Sequence, residues 1–228
     1  LSAFIGGKLP CIGGSGKAGT SDILTCEACE FVDTFLKLYP DVAIILNIDA
    51  DHLDYFKTVE NIIKSFHKFC ENTTKAIIVN GDDENSMKAV TGITDKEIIT
   101  FGFSNKNDFY PNDIIRIDGM QTNFTLMNKG KRVADLTIHV PGIHNVLNAV
   151  AACAGALYVG ADPEKLAEGL GKFHGAGRRF EKIGVAKGVT IVDDYAHHPA
   201  EITVTLNAAT AMGYKRVWAV FQPFTFSR

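Results

Sequence analysis

The chain has 228 residues and a formal net charge of −3. This charge argues against a general nucleic-acid-binding protein, because such a protein needs an excess of cations to neutralise phosphates. The composition, 46% hydrophobic and 21% charged, is typical of a globular protein with one large or two modest domains. No run approaches the ~20 consecutive apolar residues that cross a bilayer, and the first residues lack the pattern of a signal peptide. We therefore expect a cytoplasmic protein without nucleic-acid or membrane partners.

The five cysteines are an odd number, which favours free thiols in a reducing compartment over a disulfide framework. Cys26 and Cys29 have the C-x-x-C spacing that is found in zinc and redox sites. Because the sequence has no second C-x-x-C pair, we interpret them as two unrelated residues near the end of a strand.

Apolar, strand-like runs alternate with helical patterns in the first part of the chain. In chain order, the patterns predict a strand at 22–26, a helix at 31–38, a strand at 42–46, a helix at 58–70, a strand at 76–79, a helix at 83–90 and a strand at 97–101. The run at 42–46 is apolar throughout, as in a strand that is buried on both faces. This alternation implies an α/β fold with a mostly parallel, doubly wound sheet and helical crossovers.

The pattern changes after residue 112. The segments 113–118, 122–128 and 131–140 are rich in strand-forming residues, and a turn signal between the last two predicts an antiparallel excursion. A long, alanine-rich helix is predicted at 143–160, and a further helix begins at Asp162 with a proline in its first turn.

A glycine-dense segment at 169–177 is the predicted domain boundary. It separates a first domain at 1–177 from a second domain at 178–228. In the second domain, a predicted helix at 199–212 follows strands at 180–185 and 189–193 and precedes a strand at 216–221. This order indicates the beginning of a second, Rossmann-like α/β domain.

Two phosphate-loop patterns overlap at residues 14–19 (GSGKAG). The G-x-G-x-x-G fingerprint requires a strand before it and a helix after it, whereas here Pro10 precedes it and a strand follows. The Walker A pattern also fails, because Ala18 stands where a Ser or Thr hydroxyl would bind Mg²⁺ and Cys11 stands where the first glycine belongs. We therefore predict a flexible glycine loop without a phosphate-binding role.

Polar side chains follow two of the predicted strands. Residues 47–54 (NIDADHLD) come after the strand 42–46, and residues 193–199 (DDYAHHP) come at the end of the strand 189–193. Because ligands of doubly wound sheets bind outside the carboxyl ends of strands, the carboxylates and His52 could hold a metal–phosphate group. From spacing alone, a polar loop with helix-capping Asp residues is equally favoured. Several such clusters in one chain form a coherent site.

Glu27 is a further candidate, because it follows the strand 22–26 directly. If that strand neighbours the strand 42–46, Glu27 and His52 can face one crevice. The alternative is a solvated acid at the end of a strand, and the spacing alone favours this alternative.

Two pairs of polar residues are candidates for nucleotide contacts. Asn145 and Asn148 share one helical face because they lie three residues apart, and their amides offer the donor and acceptor that an adenine edge requires. A helix cap plus a surface Asn is the alternative. Arg178 and Arg179 lie at the predicted domain boundary and are suited to bidentate phosphate contact. The alternative is that Arg178 and Arg179 are a solvated basic pair without a phosphate contact.

Together these motifs resemble those of the Mur ligase family. The matching segments are EACE at 27–30, NIDADHLD at 47–54, GIHNVLNA at 142–149, GAGRRFE at 175–181, DDYAHHP at 193–199, FQP at 221–223, and Ser227 with Arg228. The resemblance covers nearly the whole chain. It implies a central ATP-binding domain at 1–177, whose phosphate loop and preceding UDP-sugar domain we expect outside the printed residues. It also implies the beginning of a C-terminal, amino-acid-binding domain at 178–228.

The resemblance implies ATP and Mg²⁺ as cofactors. The implied ligands are Glu27 and His52 for the metal; Asn145, Asn148, Arg179 and Asp194 for ATP; and Tyr195, His197 and Arg228 for the substrates. Arg179 and His197 are the implied catalytic residues.

The resemblance also implies the reaction. In the alanine-adding members of the family, ATP phosphorylates the carboxylate of UDP-N-acetylmuramate, and the amine of L-alanine attacks the acyl phosphate during peptidoglycan precursor synthesis. The protein's part is mainly positioning and charge neutralisation. Two alternatives stay open: a family member that attaches a recycled tripeptide to the same sugar, and a non-catalytic nucleotide-binding or scaffolding module. Without the phosphate loop, we expect no ligase turnover from these 228 residues alone.

Overall fold

The structure is a computed structural model that describes residues 1–117 and 119–222. The strands are β1 (Ser2–Leu9), β2 (Gly14–Lys17), β3 (Leu24–Cys26), β4 (Val42–Ile45), β5 (Ala76–Asn80), β6 (Glu97–Phe101), β7 (Phe109–Arg116), β8 (Thr122–Asn128), β9 (Lys131–Ile138), β10 (Glu181–Ala186) and β11 (Val189–Asp193). The α-helices are α1 (Leu53–Phe56), α2 (Val59–Asn72), α3 (Glu84–Ala89), α4 (Ile143–Tyr158), α5 (Leu166–Gly171) and α6 (Pro199–Thr210). Short 3₁₀ helices cover Pro10–Ile12, Phe31–Lys37 and Pro163–Lys165.

A six-stranded sheet forms the centre of the fold, in the order β4-β5-β6-β7-β8-β9. The pairs from β4 to β7 are parallel, and the pairs from β7 to β9 are antiparallel. The predicted mostly parallel sheet with an antiparallel excursion is therefore confirmed. Every residue of β5 is buried, because this strand lies inside the sheet and is covered on both faces.

The two faces of the sheet are covered by different helices. Successive side chains of a strand point to opposite faces, and accordingly Ile77 and Val79 pack in one apolar cluster with Ile62 of α2. Ile78 instead packs in a second cluster with Val146 and Val150 of α4. Helices on both faces give the doubly wound arrangement, in which the carboxyl ends of β4 and β5 are left for polar loops.

Replacing Ile78 with alanine is expected to lower the free energy of unfolding by about 2–5 kcal/mol, because it leaves a cavity in the packed core. Ile78 has no exposed surface. The matched control is Ile115→Ala, at a β7 residue that is 58% exposed, which should change stability by less than about 0.5 kcal/mol. Urea unfolding measures both variants. Equal losses in the two variants would contradict the assignment of Ile78 to the core.

Four local predictions are corrected by the structure. The segment at 31–38 is a 3₁₀ helix with a break inside it, rather than an α-helix. Residues 14–17 form strand β2 instead of a flexible loop. The strand predicted at 22–26 is shortened to β3, and it pairs with β1 rather than with β4. Residues 216–221 form no strand, since they belong to none of the described sheets.

Strand β1 explains two of these corrections. It pairs with β2 on one side and with β3 on the other, so the N-terminal residues form a separate three-stranded sheet. The sequence gives little sign of β1, because Gly6 and Gly7 interrupt its strand pattern.

None of the helices in the described part of the chain has both the length and the apolar character needed to cross a membrane.

Candidate functional site

The loop that follows β4 is fixed at the carboxyl edge of the central sheet. Ile48 is buried, its backbone N–H donates to Asp83 Oδ2 at 3.2 Å, and its carbonyl accepts from Asn85 Nδ2 at 3.0 Å. Directly after β4, the Leu46 carbonyl accepts a hydrogen bond from Asn80 Nδ2 at 3.0 Å. Because these partners sit on β5 and at the start of α3, the polar residues after Ile48 are held beside the sheet edge.

Three polar side chains meet at this edge: Glu30, Asp51 and His52. One ligand atom of each lies within 4.8 Å of those of the other two. His52 Nε2 is 3.4 Å from Glu30 Oε1 and 3.7 Å from Asp51 Oδ2. The His52 side chain is only 14% exposed, and the ring of Phe31 lies 4.7 Å from its ring centroid. These three residues are called the acid–imidazole cluster below.

The backbone of His52 is in the left-handed region, with φ 52° and ψ 37°. This conformation is uncommon outside glycine; it costs roughly 1–3 kcal/mol and persists only where surrounding contacts enforce it. The His52 carbonyl accepts from the N–H groups of Tyr55 and Phe56, each at 2.9 Å, and so begins α1. The helix therefore fixes the direction in which the imidazole points.

The donor set of the acid–imidazole cluster fits a divalent cation. Two carboxylates supply the oxygen ligands that Mg²⁺ prefers, and Mg²⁺ usually keeps several further positions for water or phosphate oxygens. An imidazole nitrogen is an acceptable additional ligand for a divalent ion when the ring is neutral.

A second polar group lies at the predicted domain boundary. Asp194 Oδ2 accepts from the Phe180 N–H at 2.8 Å, and Asp194 Oδ1 accepts from the Ala196 N–H at 2.7 Å. Both oxygens of Asp194 thus hold the backbone on either side of the β10–β11 hairpin. Asp193, its neighbour, instead lies 3.4 Å from Arg178 Nε.

The two arginines at this boundary point to different partners. The Arg178 guanidinium stacks over the Tyr195 ring at 4.7 Å from the centroid. Arg179 Nη1 lies 3.4 Å from Glu201 Oε1 in an exposed ion pair. Exposed pairs of this kind contribute only about 0–1 kcal/mol, so a phosphate can replace Glu201 at Arg179 at little cost.

Glu201 organises the start of α6. His198 caps the helix and Glu201 reciprocates, with Oε2 accepting from the His197 and His198 N–H groups at 3.2 and 3.3 Å. Burial alone would raise the pKa of Glu201, but these two hydrogen bonds and the charges of Arg179 and His197 outweigh it and hold the pKa below its usual value.

Replacing Glu201 with glutamine is expected to destabilise the chain at pH 7 by about 1 kcal/mol, because its hydrogen bonds with the His197 and His198 N–H groups lose their charged acceptor. A carboxyl whose folded pKa is depressed contributes stability above its unfolded pKa of about 4.3 and loses it as the pH falls through the folded value. The difference between wild type and variant should therefore shrink below about pH 4. Thermal unfolding at pH 7 and pH 3.5 measures this, with the exposed Glu97→Gln as control. A difference that does not change with pH would contradict the role of the charge.

The two polar groups are joined by one contact. His198 Nε2 lies 3.1 Å from the carbonyl oxygen of Ala50, across 148 residues of sequence. The imidazole nitrogen donates in this contact, since a carbonyl can only accept. The segment that follows β11 therefore lies against the loop that carries Asp51 and His52, and the two strand-end motifs are adjacent.

The N-terminus of α4 contributes a third part. Asn148 Nδ2 donates to Asn145 Oδ1 at 3.1 Å, and Asn145 Nδ2 donates to the Pro141 carbonyl at 2.7 Å. The two amides thus share one face of the helix, as the spacing predicts. Asn145 uses both its amide nitrogen and its amide oxygen in these contacts. Asn148 is therefore the more available of the two for hydrogen bonds with a ligand.

His144 is a residue of this region that the sequence reasoning missed. Burial lowers its pKa, and the charge of Asp194 only partly offsets this effect. Its buried Nδ1 has no hydrogen-bond partner among the described residues. Its position beside Asn145 in the GIHNVLNA segment was the available signal.

Comparison with known proteins identifies the family. The model of the Mur ligase middle domain matches residues 18–156, and that of the Mur ligase, glutamate ligase domain matches residues 178–226. The chain belongs to the Mur ligase family.

Individual relatives agree with this assignment. A UDP-N-acetylmuramate–L-alanine ligase of Caldanaerobacter subterraneus is 43% identical over 229 residues, which cover 100% of this chain and 50% of the relative. The ligase of the same name from Agathobacter rectalis is 45% identical and covers 98% of this chain and 49% of the relative. This Mur ligase chain thus spans about half the length of the curated relatives it matches.

Two solved structures extend the comparison. UDP-N-acetylmuramate-alanine ligase MurC from Thermotoga maritima superposes with a TM-score of 0.78 at 28% identity, covering 92% of this chain and 47% of that one. A murein peptide ligase from Psychrobacter arcticus superposes with a TM-score of 0.71 at 26% identity, covering 98% of this chain and 52% of that one.

The structure of this Mur ligase chain places the loop of His52 against the segment that carries Asp194, Tyr195 and His197, whereas Asn145 and Asn148 contact each other at the start of α4. Glu27 is outside the acid–imidazole cluster: its Oε2 accepts from the Gly6 N–H at 2.7 Å. The condition for a shared crevice, that the strand before Glu27 neighbours β4, is not met, because β3 pairs with β1. Glu30, three residues further on, stands beside His52 instead. Arg228 lies outside the described residues.

Proposed function

We propose that the protein to which this chain belongs joins L-alanine to the carboxylate of UDP-N-acetylmuramate, with ATP consumed through an acyl phosphate, in cytoplasmic peptidoglycan precursor synthesis. The relatives from two organisms that are 43% and 45% identical carry the name of this activity. The observation that carries the proposal is the contact between His198 and Ala50, at 3.1 Å. This contact joins the loop of the acid–imidazole cluster to the segment 193–199, which we expect to contact the amino acid.

Glu30, Asp51 and His52 are the proposed Mg²⁺ ligands, because their donor atoms already lie within 4.8 Å of one another. When bound, Mg²⁺ would neutralise charge on the phosphoryl oxygens. Glu27 remains a proposed ligand as well, which requires it to release the Gly6 amide.

The nucleotide is proposed to lie between the start of α4 and the domain boundary. Asn148, with Asn145 behind it, would contact the adenine edge. Arg179 would leave its exposed pair with Glu201 to bind a phosphate oxygen. Asp194 would act through the backbone, because its two oxygens fix the N–H groups of Phe180 and Ala196.

His197 is the proposed residue for the proton of the incoming amine, and Tyr195 and Arg228 are proposed to contact the substrates. His197 Nδ1 lies 3.0 Å from the Tyr195 carbonyl. A carbonyl only accepts, so Nδ1 carries a proton in this contact, and in the neutral form of the ring the lone pair is on Nε2. The imidazole is therefore set to accept a proton at Nε2 once the amine has attacked.

The test is phosphate release by the full-length protein with ATP and UDP-N-acetylmuramate. We expect release that depends on L-alanine. Release that depends on a tripeptide instead would favour the murein peptide ligase activity, which the 98% coverage by the Psychrobacter arcticus structure makes the second candidate. No release with either acceptor would favour a non-catalytic nucleotide-binding module.

A further inference from the structure

We propose that Asp33 is a positioning residue that holds Glu30 against His52. The inference rests on the metal-binding role proposed above for the acid–imidazole cluster. Asp33 is not a member of that cluster. Its carboxylate instead ties the turn that carries Glu30 to two helices, α1 and α2.

The turn after Glu30 is strained. Val32 has φ 53° and ψ 38°, and Asp33 has φ 55° and ψ 26°, both in the left-handed region. For a β-branched residue such as Val32 this conformation is a genuine outlier. Strain of this kind persists only where surrounding contacts enforce it, and it concentrates at ligand sites. The Asp33 N–H donates to the Glu30 carbonyl at 3.0 Å and closes the turn directly at Glu30.

The side chain of Asp33 supplies the enforcing contacts. Tyr55 Oη donates to Asp33 Oδ2 at 2.7 Å, and the buried Ser65 Oγ donates to Asp33 Oδ1. Both carboxylate oxygens are therefore engaged, one by each helix. The hydrogen bond from Tyr55 to Asp33 also raises the pKa of the phenol, as expected when a carboxylate accepts the phenolic proton.

The same helix that holds Asp33 also carries His52. The Tyr55 N–H donates to the His52 carbonyl at 2.9 Å, so the two residues belong to one helical turn. The turn at 30–33 therefore contacts α1 twice: Glu30 and Phe31 meet His52, and Asp33 meets Tyr55. Loss of the Asp33 contacts would let the strained turn relax and would carry Glu30 away from the imidazole.

The experiment measures Mn²⁺ binding to the 228-residue chain by calorimetry, with Asp33→Asn, Glu30→Gln and the double variant. Residues that orient metal ligands typically change metal affinity by about 10–100-fold, so Asp33→Asn should weaken Mn²⁺ binding at least ~10-fold. In the Glu30→Gln background the same change should add almost nothing, because Asp33 acts through Glu30.

The matched control is Asp41→Asn. Asp41 also accepts from a hydroxyl, Thr74 Oγ1 at 2.6 Å, and from Lys75 Nζ at 3.0 Å, but it precedes β4 and so lies at the opposite end of that strand from His52. Its replacement should leave Mn²⁺ affinity unchanged. A second measurement is amide exchange in the metal-free chain: Asp33→Asn should speed exchange at residues 33 and 35 and leave α2 protected.

Three results would overturn the proposal in distinguishable ways. Normal Mn²⁺ affinity in Asp33→Asn, with loss in Glu30→Gln, removes the role of Asp33 and leaves the metal site standing. If Asp33→Asn lowers Mn²⁺ affinity equally in the wild-type chain and in Glu30→Gln, Asp33 has a general structural role. Faster amide exchange throughout the chain would show the same. Normal affinity in both Glu30→Gln and His52→Ala removes the metal site itself, and with it this inference.

Discussion

In the full-length protein, replacement of His52 by alanine is expected to lower L-alanine-dependent phosphate release by about 10²–10³-fold, the usual loss when one electrostatic contact to a reacting group is removed. His52 is the least exposed member of the acid–imidazole cluster and lies 3.4 Å from Glu30 and 3.7 Å from Asp51. Its loss removes one donor and also the ring that packs on Phe31. Steady-state kinetics at saturating and limiting Mg²⁺ measures the effect.

The control for this prediction is His174→Ala. His174 is exposed, and its ring lies 5.1 Å from that of His139, so its replacement should leave both turnover and the Mg²⁺ requirement unchanged. If His52→Ala keeps the wild-type Mg²⁺ requirement, the cluster is not the metal site of this Mur ligase.

Replacement of Arg179 by alanine should lower kcat/KM for ATP by about 10²–10³-fold, since it removes the cation that we propose to contact the phosphoryl oxygens. The exposed pair with Glu201, at 3.4 Å, is too weak to explain such a loss by itself. Arg179→Lys should recover only part of the activity, because an ammonium cannot make the bidentate contact of a guanidinium.

Arg132→Ala serves as the control for Arg179. Arg132 pairs with Asp135 on β9 and is 65% exposed, so it matches the exposure and ion pairing of Arg179. It should have wild-type kinetics. Full recovery by Arg179→Lys would show that only a charge is needed at this position, and an unchanged kcat/KM in Arg179→Ala would rule out the phosphate contact.

The central sheet was predictable because its strands carry a strong local signal. Residues 76–79 are apolar without interruption, and burial on both faces demands that pattern. Residues 42–46 have the same pattern, but the prediction that they are buried on both faces is wrong, because β4 is an edge strand in which Ile44 is 42% exposed. The turn between β8 and β9 was predictable from Gly130, because glycine adopts positive φ angles readily and Gly130 has φ 79° at this turn. Such features depend only on neighbouring residues, so one sequence suffices to find them.

The details of the site depend on long-range pairing, and the sequence predicted them less well. Glu27 and Glu30 belong to the same EACE segment, and only the pairing of β3 with β1 and the left-handed turn after Glu30 place the second acid beside His52. Neither feature has a local signature, because a Val in a left-handed conformation runs against its own preference. The contact between His198 and Ala50 spans 148 residues and is likewise invisible in local patterns.

The order of strands in the central sheet has a consequence for biogenesis. From β4 to β9 each strand pairs with the next one along the chain, although helical crossovers separate the parallel strands β4, β5 and β6. No pairing in this sheet therefore waits for a strand that is made much later, and domains form in order as the chain is made. We therefore expect the sheet to be complete on the ribosome before β10, β11 and α6 have been synthesised and can add His198 to its edge.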